Sequence, residues 1–152
     1  MPNIAIASDH RGYKLKEVIL EYLRELDLDY IDFGPDVKER VDYPEFASYV
    51  AQYVSRNLHS KGILICGTGN GMNIVANKYP NVYSVLCNDV KSARLGREHN
   101  DANILVIGAD YVDEKTAKKI VKVWLTTKFA GGRYKRRIEM IKEIEKGLYN
   151  SV

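Results

Sequence analysis

The segment with the strongest chemical signal is an apolar run that ends in a cysteine and continues directly into alternating glycines, Ile63-Leu64-Ile65-Cys66-Gly67-Thr68-Gly69-Asn70-Gly71. The apolar run is typical of a buried strand, and the glycines are typical of a loop whose backbone approaches a ligand closely. The stretch from Met72 to Lys78 suits a helix, so the N–H groups of the loop would point at an anion near a helix N-terminus. Donors beside the Cys66 thiol would favour the thiolate, although most free cysteines are buried core residues. The segment therefore indicates chemistry on a small anionic molecule.

Two further loops carry polar residues that could join this segment. Asp9, His10 and Arg11 follow the first predicted strand, and Asp42 and Tyr43 stand at the start of the second long helix. Ligands of open parallel sheets bind beyond the carboxyl ends of the strands, so we expect all three loops to line one pocket. The alternative for Asp9 and His10 is that they only cap the next helix.

A second set of candidates lies elsewhere in the chain. His99 and Asn100 follow the fourth predicted helix, which runs back toward the opposite edge of the sheet. A strand of five or six residues is about 17–20 Å long, so His99 should not reach Cys66 within one subunit. Arg133 and Arg137 are spaced i, i+4 and could grip a phosphate together, or could belong to a solvated basic face. If these groups serve the pocket, a partner subunit supplies them.

Strand-like and helix-like segments alternate along the chain. Strands are predicted at residues 3–8, 30–33, 82–87 and 104–107, with one more strand ending at Cys66. Helices are predicted around residues 15–26, 47–58, 72–78, 89–98, 117–125 and 133–148, with Asp42 as an N-cap and Pro44 in the first turn of the second helix. Continuous apolar strands between helices imply a parallel sheet covered on both faces. We predict a Rossmann-like three-layer α/β/α sandwich with a five-stranded parallel sheet and an extra C-terminal helix, all in a single domain spanning residues 1–152.

Composition excludes several classes of function. The chain has 152 residues, 45% hydrophobic and 28% charged, with a net charge of +3 spread among interleaved basic and acidic residues, so we expect no nucleic-acid partner. No apolar run is long enough to span a bilayer, and no signal peptide precedes the first strand, so we expect a cytoplasmic protein with reduced Cys66 and Cys87. No Cys, His and carboxylate grouping has metal-ligand spacing, so no metal is expected. The G-x-G-x-G pattern differs from the dinucleotide fingerprint, although Asp89 lies about 20 residues further on, so the pattern does not favour binding of a nicotinamide dinucleotide.

Taken together, these elements resemble sugar-phosphate isomerases of the ribose-5-phosphate isomerase B type, a family that includes the galactose-6-phosphate isomerase subunits. The resemblance runs in order from about residue 3 to residue 146. The matching motifs are Ile6-Ala7-Ser8-Asp9-His10 with Gly12 and Leu15-Lys16, Val41-Asp42-Tyr43-Pro44, Gly62-Ile63-Leu64-Ile65-Cys66-Gly67-Thr68-Gly69, Ala76-Asn77-Lys78, Arg97-Glu98-His99-Asn100-Asp101-Ala102-Asn103, and Gly131-Gly132-Arg133 with Arg137.

The resemblance implies interconversion of ribose 5-phosphate and ribulose 5-phosphate through a cis-enediol(ate), without a cofactor, in the non-oxidative branch of the pentose phosphate pathway. It implies that Cys66 is the base that moves the proton between C2 and C1, that Thr68 assists at the enediolate, and that Asp9 handles the sugar hydroxyls. The backbone donors for the developing oxyanion would be the N–H groups of the loop from Gly67 to Gly71. Gly67, Gly69, Asn70 and Gly71 are accordingly expected to bind the substrate.

The remaining site residues also take their roles from the resemblance. His99 would open the furanose ring by general acid–base catalysis, and Asn100 would stabilise the anion. The phosphate would be held by His10, Arg133 and Arg137, and Tyr43 would line the pocket. Family members form homodimers, and some form tetramers, with active sites shared between subunits.

Three residues depart from the family pattern. Asn70 stands where many relatives have an aliphatic residue, Asn73 where a small hydroxyl residue is common, and Asp110 where several have an arginine near the phosphate. Two alternatives therefore stay open. The substrate could be a hexose 6-phosphate of the allose or galactose type, or the chain could be a non-catalytic module that binds a sugar phosphate.

Overall fold

The computed structural model describes residues 3–147, which form alternating strands and helices around one sheet. The strands are β1 (Ile4–Ser8), β2 (Tyr30–Asp32), β3 (Lys61–Cys66), β4 (Ser84–Leu86) and β5 (Ile104–Gly108). The helices are α1 (Tyr13–Glu25), α2 (Tyr43–Arg56), α3 (Asn70–Ala76), α4 (Val90–Asn100), α5 (Glu114–Thr126) and α6 (Arg133–Glu145).

The five strands pair in the order β2-β1-β3-β5-β4, and every pair is parallel. Successive side chains of a strand point to opposite faces, so each apolar strand supplies two cores. Ile6 and Ile63 pack with α1, α4 and α5 on one face, while Ala7 and Leu64 pack with α2 and α3 on the other. The predicted three-layer α/β/α sandwich with a five-stranded parallel sheet is confirmed.

The same alternation separates the two cysteines. Cys66 belongs to the core on the α2 and α3 face, whereas Cys87 belongs to the core on the α1, α4 and α5 face. Both are buried and free, as expected for reduced thiols. Burial raises the pKa of Cys87 to about 11, which suits an inert core thiol.

The predicted end of the fourth helix is wrong by two residues. That helix was expected to end at Glu98, but α4 continues through His99 and Asn100. It stops at Asp101, which adopts a left-handed conformation with φ 49°. The side chain of Arg97 bonds to the Asp101 carboxylate at 3.0 Å and to the Ala102 carbonyl at 2.7 Å. These bonds stabilise the last turn, which periodicity does not reveal.

Other boundaries shift by small amounts. The short helix after the glycine loop begins at Asn70 instead of Met72, the strand predicted at residues 82–87 is ordered as β4 only over Ser84–Leu86, and α6 ends before Gly147 while Leu148 lies outside the described residues. Asp42 does occupy the N-cap of α2, with Pro44 in the first turn. Its side chain makes no capping bond; its backbone carbonyl accepts from the Glu45 N–H at 3.3 Å.

A buried ion pair supports the loop after β2. The Lys16 ammonium is fully buried and bonds to both carboxylate oxygens of Asp32, at 2.9 and 3.0 Å, and to the carbonyl of Pro35 at 3.0 Å. A buried ammonium must be paired to avoid a large desolvation cost. Lys16 therefore fixes the chain between β2 and α2, next to the edge of the sheet where β1 ends.

Candidate active site

The carboxyl ends of β1, β3 and β5 meet at the centre of the sheet. In the register, Ser8 lies opposite Ile65 and Cys66 lies opposite Gly108. Beyond the strands, the Asp9 N–H donates to the Ile65 carbonyl at 3.1 Å. The chain leaves β1 to one side for β2 and then places β3 on its other side, so this edge is a topological switch point. Such a point is where open α/β sheets bind ligands.

Cys66 is the reactive candidate at this point, and its sulfur is almost enclosed. The residue is 5% exposed, and its Sγ accepts a hydrogen bond from the Gly69 N–H at 3.1 Å. Burial raises the pKa of the thiol, and the Asp9 carboxylate adds to that rise. The N–H groups of Met72 and Gly69 both lower the pKa of the thiol, as does the Arg11 charge. The prediction that thiolate formation is favoured here is therefore wrong, because the desolvation of the thiol outweighs the effect of the donors.

Each of the three alternating glycines leaves space for a different neighbour. A Cβ at Gly67 would overlap the Arg11 guanidinium, and a Cβ at Gly71 would overlap the Tyr43 ring. Gly69 has φ 87°, a left-handed conformation, and a Cβ there would overlap the Leu86 side chain. The spacing thus reflects a loop packed closely on all sides.

The backbone donors of the loop divide into two groups. The Gly69 N–H is committed to the Cys66 sulfur, and the Asn70 N–H donates to the Thr68 hydroxyl at 3.2 Å. The expectation that both would face a ligand is not met in this conformation. Among residues 3–147 no acceptor is recorded for the N–H groups of Gly67, Thr68 and Gly71. Those three donors remain available to an oxyanion.

Asp9 and His10 both lie at this edge, and each has a structural partner. Asp9 is 6% exposed, and its carboxylate accepts from the Gly12 N–H at 2.9 Å, just before α1. The Nδ1 atom of His10 accepts from the Val41 N–H at 3.3 Å, which ties the loop before α2 to the site. An Nδ1 that accepts leaves Nε2 as the nitrogen that carries a proton toward a ligand. Tyr43, whose ring lies against Gly71, completes this side.

An ion pair that sequence reasoning missed crosses the same edge. The Arg11 guanidinium, from the loop after β1, pairs with the Asp110 carboxylate, from the loop after β5. The Asp110 N–H in turn donates to the Gly67 carbonyl at 3.0 Å. Arg11 does stand beside Asp9 and His10 in the sequence, which was the available signal. Its partner is 99 residues away, and no periodicity connects the two.

The departure at Asn73 has a structural explanation. Its side-chain oxygen accepts from the Ser84 hydroxyl at 2.8 Å. The side chain of Asn77 pairs with the Ser84 backbone, accepting from its N–H at 2.9 Å and donating to its carbonyl at 3.0 Å. These bonds join α3 to β4, so Asn73 holds the short helix behind the glycine loop.

The second set of candidates forms its own cluster between α4 and α6. The His99 ring stacks on Tyr134, with centroids 4.3 Å apart and planes inclined by 16°. Arg133 donates to the Tyr134 hydroxyl at 3.0 Å, and its guanidinium carbon lies 5.0 Å from the ring centroid. Tyr134 is a further residue that sequence reasoning missed, because one tyrosine on a charged helix carries no signal. Asn100 and Arg137 are exposed at this end of the molecule.

The structure does not bring these two clusters together. In β3 and β5, Gly62 pairs with Ile104 at one end and Cys66 pairs with Gly108 at the other. The four intervening steps span about 13 Å at ~3.3 Å per residue. His99 precedes Ile104 and so lies beyond the end of the sheet that is farther from Cys66. The separation expected from chain direction is confirmed.

Within the described residues, no helix is both long and apolar enough to cross a membrane. The same residues contain no cluster of three or more His, Cys, Asp or Glu side chains arranged to hold a metal ion.

Comparison with known proteins adds a family to this geometry. The chain matches the family model described as Ribose/Galactose Isomerase over residues 4–141. It is 44% identical over 145 residues to ribose-5-phosphate isomerase B of Escherichia coli (strain K12), covering 95% of this chain and 97% of that protein. The structure of the Clostridium thermocellum ribose-5-phosphate isomerase B is 45% identical, with a TM-score of 0.92 over 96% of this chain and 99% of that one. The Mycoplasma genitalium ribose-5-phosphate isomerase B, solved with bound ribulose-5-phosphate, is 42% identical, with a TM-score of 0.92 over 95% and 96% of the two chains. The resemblance drawn from the motifs is confirmed: this chain belongs to the ribose/galactose isomerase family.

Proposed function

We propose that this protein is a cytoplasmic aldose–ketose isomerase that interconverts ribose 5-phosphate and ribulose 5-phosphate through a cis-enediol(ate). The observation that carries the proposal is the buried Cys66 thiol at the switch point, beside the N–H groups of Gly67, Thr68 and Gly71, which have no acceptor in the described part of the chain. The relative from Mycoplasma genitalium, whose structure holds ribulose-5-phosphate, supports the same substrate class.

The proposed chemistry needs one base and one oxyanion site. Cys66 removes the proton from C2 of the open-chain aldose and returns it to C1, and the hydroxyl proton of O2 passes to O1, so that the carbonyl moves from C1 to C2. The N–H groups of Gly67, Thr68 and Gly71 stabilise the negative charge that develops on oxygen, with the Thr68 hydroxyl close by. Asp9 contacts the sugar hydroxyls.

The pKa of Cys66 gives this mechanism a definite pH dependence. Burial raises the pKa of the thiol, so only a small fraction is thiolate near neutral pH in the free enzyme. Since the thiolate is the base, kcat/KM should rise with pH through the neutral and mildly alkaline range. A profile that is flat from pH 6 to pH 9 would contradict Cys66 as the base.

The other half of the chemistry belongs to the cluster around His99. We infer that His99 opens the furanose ring, that Asn100 steadies the resulting anion, and that Arg133 and Arg137 join His10 in holding the phosphate. The register separates His99 from Cys66 within one chain. We therefore propose a homodimer with composite sites, or a tetramer built from two such dimers.

A coupled assay with ribose 5-phosphate, without added metal or nucleotide, tests the activity directly. Cys66→Ala should lower kcat by about 10²- to 10⁴-fold while leaving phosphate binding largely intact. Unchanged physiological activity in Cys66→Ala would favour a non-catalytic binding module. Parallel kinetics with allose and galactose 6-phosphates complete the test, since a preference for a hexose would overturn the substrate assignment.

Mixed oligomers test the composite site. Cys66→Ala and His99→Ala subunits are each inactive, but a heterodimer retains one site with both groups intact. Mixing the two variants should therefore restore partial activity. At most about half of the sites in each heterodimer can be active. Absence of recovery after verified subunit exchange would refute the sharing of sites.

A further inference from the structure

The ion pair between Arg11 and Asp110 lies against the glycine loop. The guanidinium lies over Gly67, the residue that follows Cys66, close enough that a Cβ at Gly67 would overlap it. Asp110 is fixed from the other side, since its N–H donates to the Gly67 carbonyl at 3.0 Å. Both side chains thus border the glycine loop, from the loops after β1 and β5.

The state of Arg11 suits binding of an anion. Its side chain is 53% exposed, and the Asp110 side chain is 43% exposed. Among residues 3–147, Asp110 is the only hydrogen-bond partner recorded for the guanidinium, through a single Nη2 atom. Arginine has five donors in a planar fork that matches phosphate, so most of them are free for a ligand.

Two other cations described above, Lys16 and Arg133, have different surroundings. Lys16 is fully buried and committed to Asp32. Arg133 is engaged by Tyr134 in the distant cluster. Arg11, by contrast, is a fixed cation on the same chain and the same sheet edge as Cys66.

We propose that Arg11 holds the phosphate of the sugar phosphate from the same subunit as Cys66, and that Asp110 is a positioning residue that keeps the guanidinium over Gly67. The inference rests on the proposed function and adds a residue to it. This proposal explains why the chain can have an acidic residue at position 110, where several family members have an arginine. The Arg11 guanidinium neutralises the Asp110 carboxylate, which therefore does not repel the phosphate.

Binding to the inactive Cys66→Ala protein measures the effect without turnover. Titration calorimetry with ribose 5-phosphate should show about 10- to 100-fold weaker binding in Arg11→Met, as expected for loss of charge-assisted hydrogen bonds. Arg11→Lys keeps the positive charge but lacks the planar guanidinium, so its affinity for ribose 5-phosphate should lie between that of Arg11→Met and that of the protein with Arg11. The matched control is Arg24→Met, which removes another exposed arginine paired with a carboxylate, Glu21 at 2.7 Å, and should change binding less than twofold.

A second substitution separates a positioning role from a merely structural one. In Arg11→Met, the Asp110 charge is left unpaired beside the phosphate and repels it. Adding Asp110→Asn in that background should therefore recover severalfold of the lost affinity, whereas a purely structural pair would show no such recovery. Asp110→Asn with Arg11 present tests the positioning role directly: binding should weaken severalfold, because the guanidinium loses the partner that holds it over Gly67. Binding of Asp110→Asn as tight as that of the protein with Asp110, or tighter, would overturn the positioning role.

A final measurement keeps this inference distinct from the isomerase proposal. Inorganic phosphate should slow the alkylation of Cys66 by iodoacetamide, followed by mass spectrometry at that residue, and Arg11→Met should abolish this protection while Arg24→Met preserves it. Absence of isomerase activity in the unsubstituted protein would refute the proposed function, and the protection assay would still decide the role of Arg11. Protection that survives in Arg11→Met, or that is absent from the unsubstituted protein, would overturn the assignment of Arg11.

Discussion

Gly69 offers a sharp test of how the glycine loop is held. It adopts φ 87°, and an added Cβ would overlap the Leu86 side chain and come within 3.2 Å of Val106 Cγ1. Two separate costs therefore arise in Gly69→Ala, one from the backbone and one from packing. Gly131 provides a matched control, since it has φ 66° but nothing within 4 Å of an added Cβ.

The two costs can be estimated from the geometry. A non-glycine residue in the left-handed region costs roughly 1–2 kcal/mol, and this term applies to both substitutions. Overpacking against a close-packed core adds about 1–3 kcal/mol at Gly69 alone. We expect Gly69→Ala to lose about 2–5 kcal/mol of unfolding free energy and Gly131→Ala about 1–2 kcal/mol. The difference of about 1–3 kcal/mol corresponds to roughly 2–12 °C in Tm.

Urea unfolding measures both, with the fluorescence of the single, fully buried Trp124 as the probe. Truncating the neighbour as well, in Gly69→Ala with Leu86→Ala, should show a favourable coupling of about 1 kcal/mol or more in a double-mutant cycle. If Gly69→Ala and Gly131→Ala are destabilised equally, or if the cycle shows no coupling, the packing argument is refuted.

Three further predictions follow from other contacts. Because burial raises the pKa of Cys66, its alkylation rate should keep increasing above pH 9, while Cys87, with a pKa of about 11, should stay unreactive until higher pH; equal rates at pH 8 would contradict this. Lys16→Met removes the fully buried ammonium and leaves the Asp32 carboxylate without its cation, so the free energy of unfolding in urea should fall by about 3 kcal/mol. Unchanged stability would show that the ion pair is dispensable. Tyr134→Leu removes the ring stacked on His99 and should lower kcat about 2- to 10-fold, while Tyr134→Phe keeps the ring and should not; similar kcat values for the two variants would exclude the stacking role.

Local patterns in the sequence predict most of the fold. The apolar runs at β1, β3 and β5 and the helical periodicity of α1, α2 and α5 are signals within short windows, and all six elements form where expected. Helix ends depend on side-chain interactions that the periodicity of a short sequence segment does not show. The last turn of α4, for example, is held by Arg97 bonding to Asp101 and Ala102.

The candidate site could likewise be predicted where it depends on local sequence patterns, and could not be predicted where it depends on tertiary contacts. Cys66 and Asp9 could be placed at one edge, because strand direction alone decides where a strand ends. The Arg11 pairing with Asp110 could not, since it requires β5 to lie next to β3, a strand order that the sequence does not state. The pKa of Cys66 was mispredicted for a related reason, because the packing of α2 and α3 over the sulfur is a tertiary property.

The placement of the two cysteines on opposite faces of the sheet has a consequence for oxidative damage. A thiol oxidised to a sulfenic acid is rescued within one chain only when a second thiol lies near enough to form a disulfide with it. Cys87 is the only other cysteine in the sequence, and the sheet lies between it and Cys66. A sulfenic acid at Cys66 therefore depends on external thiols for its reduction, and without them it proceeds to the irreversible sulfinic acid. The concentration of small thiols around the protein, and not the protein itself, sets how quickly it recovers from peroxide.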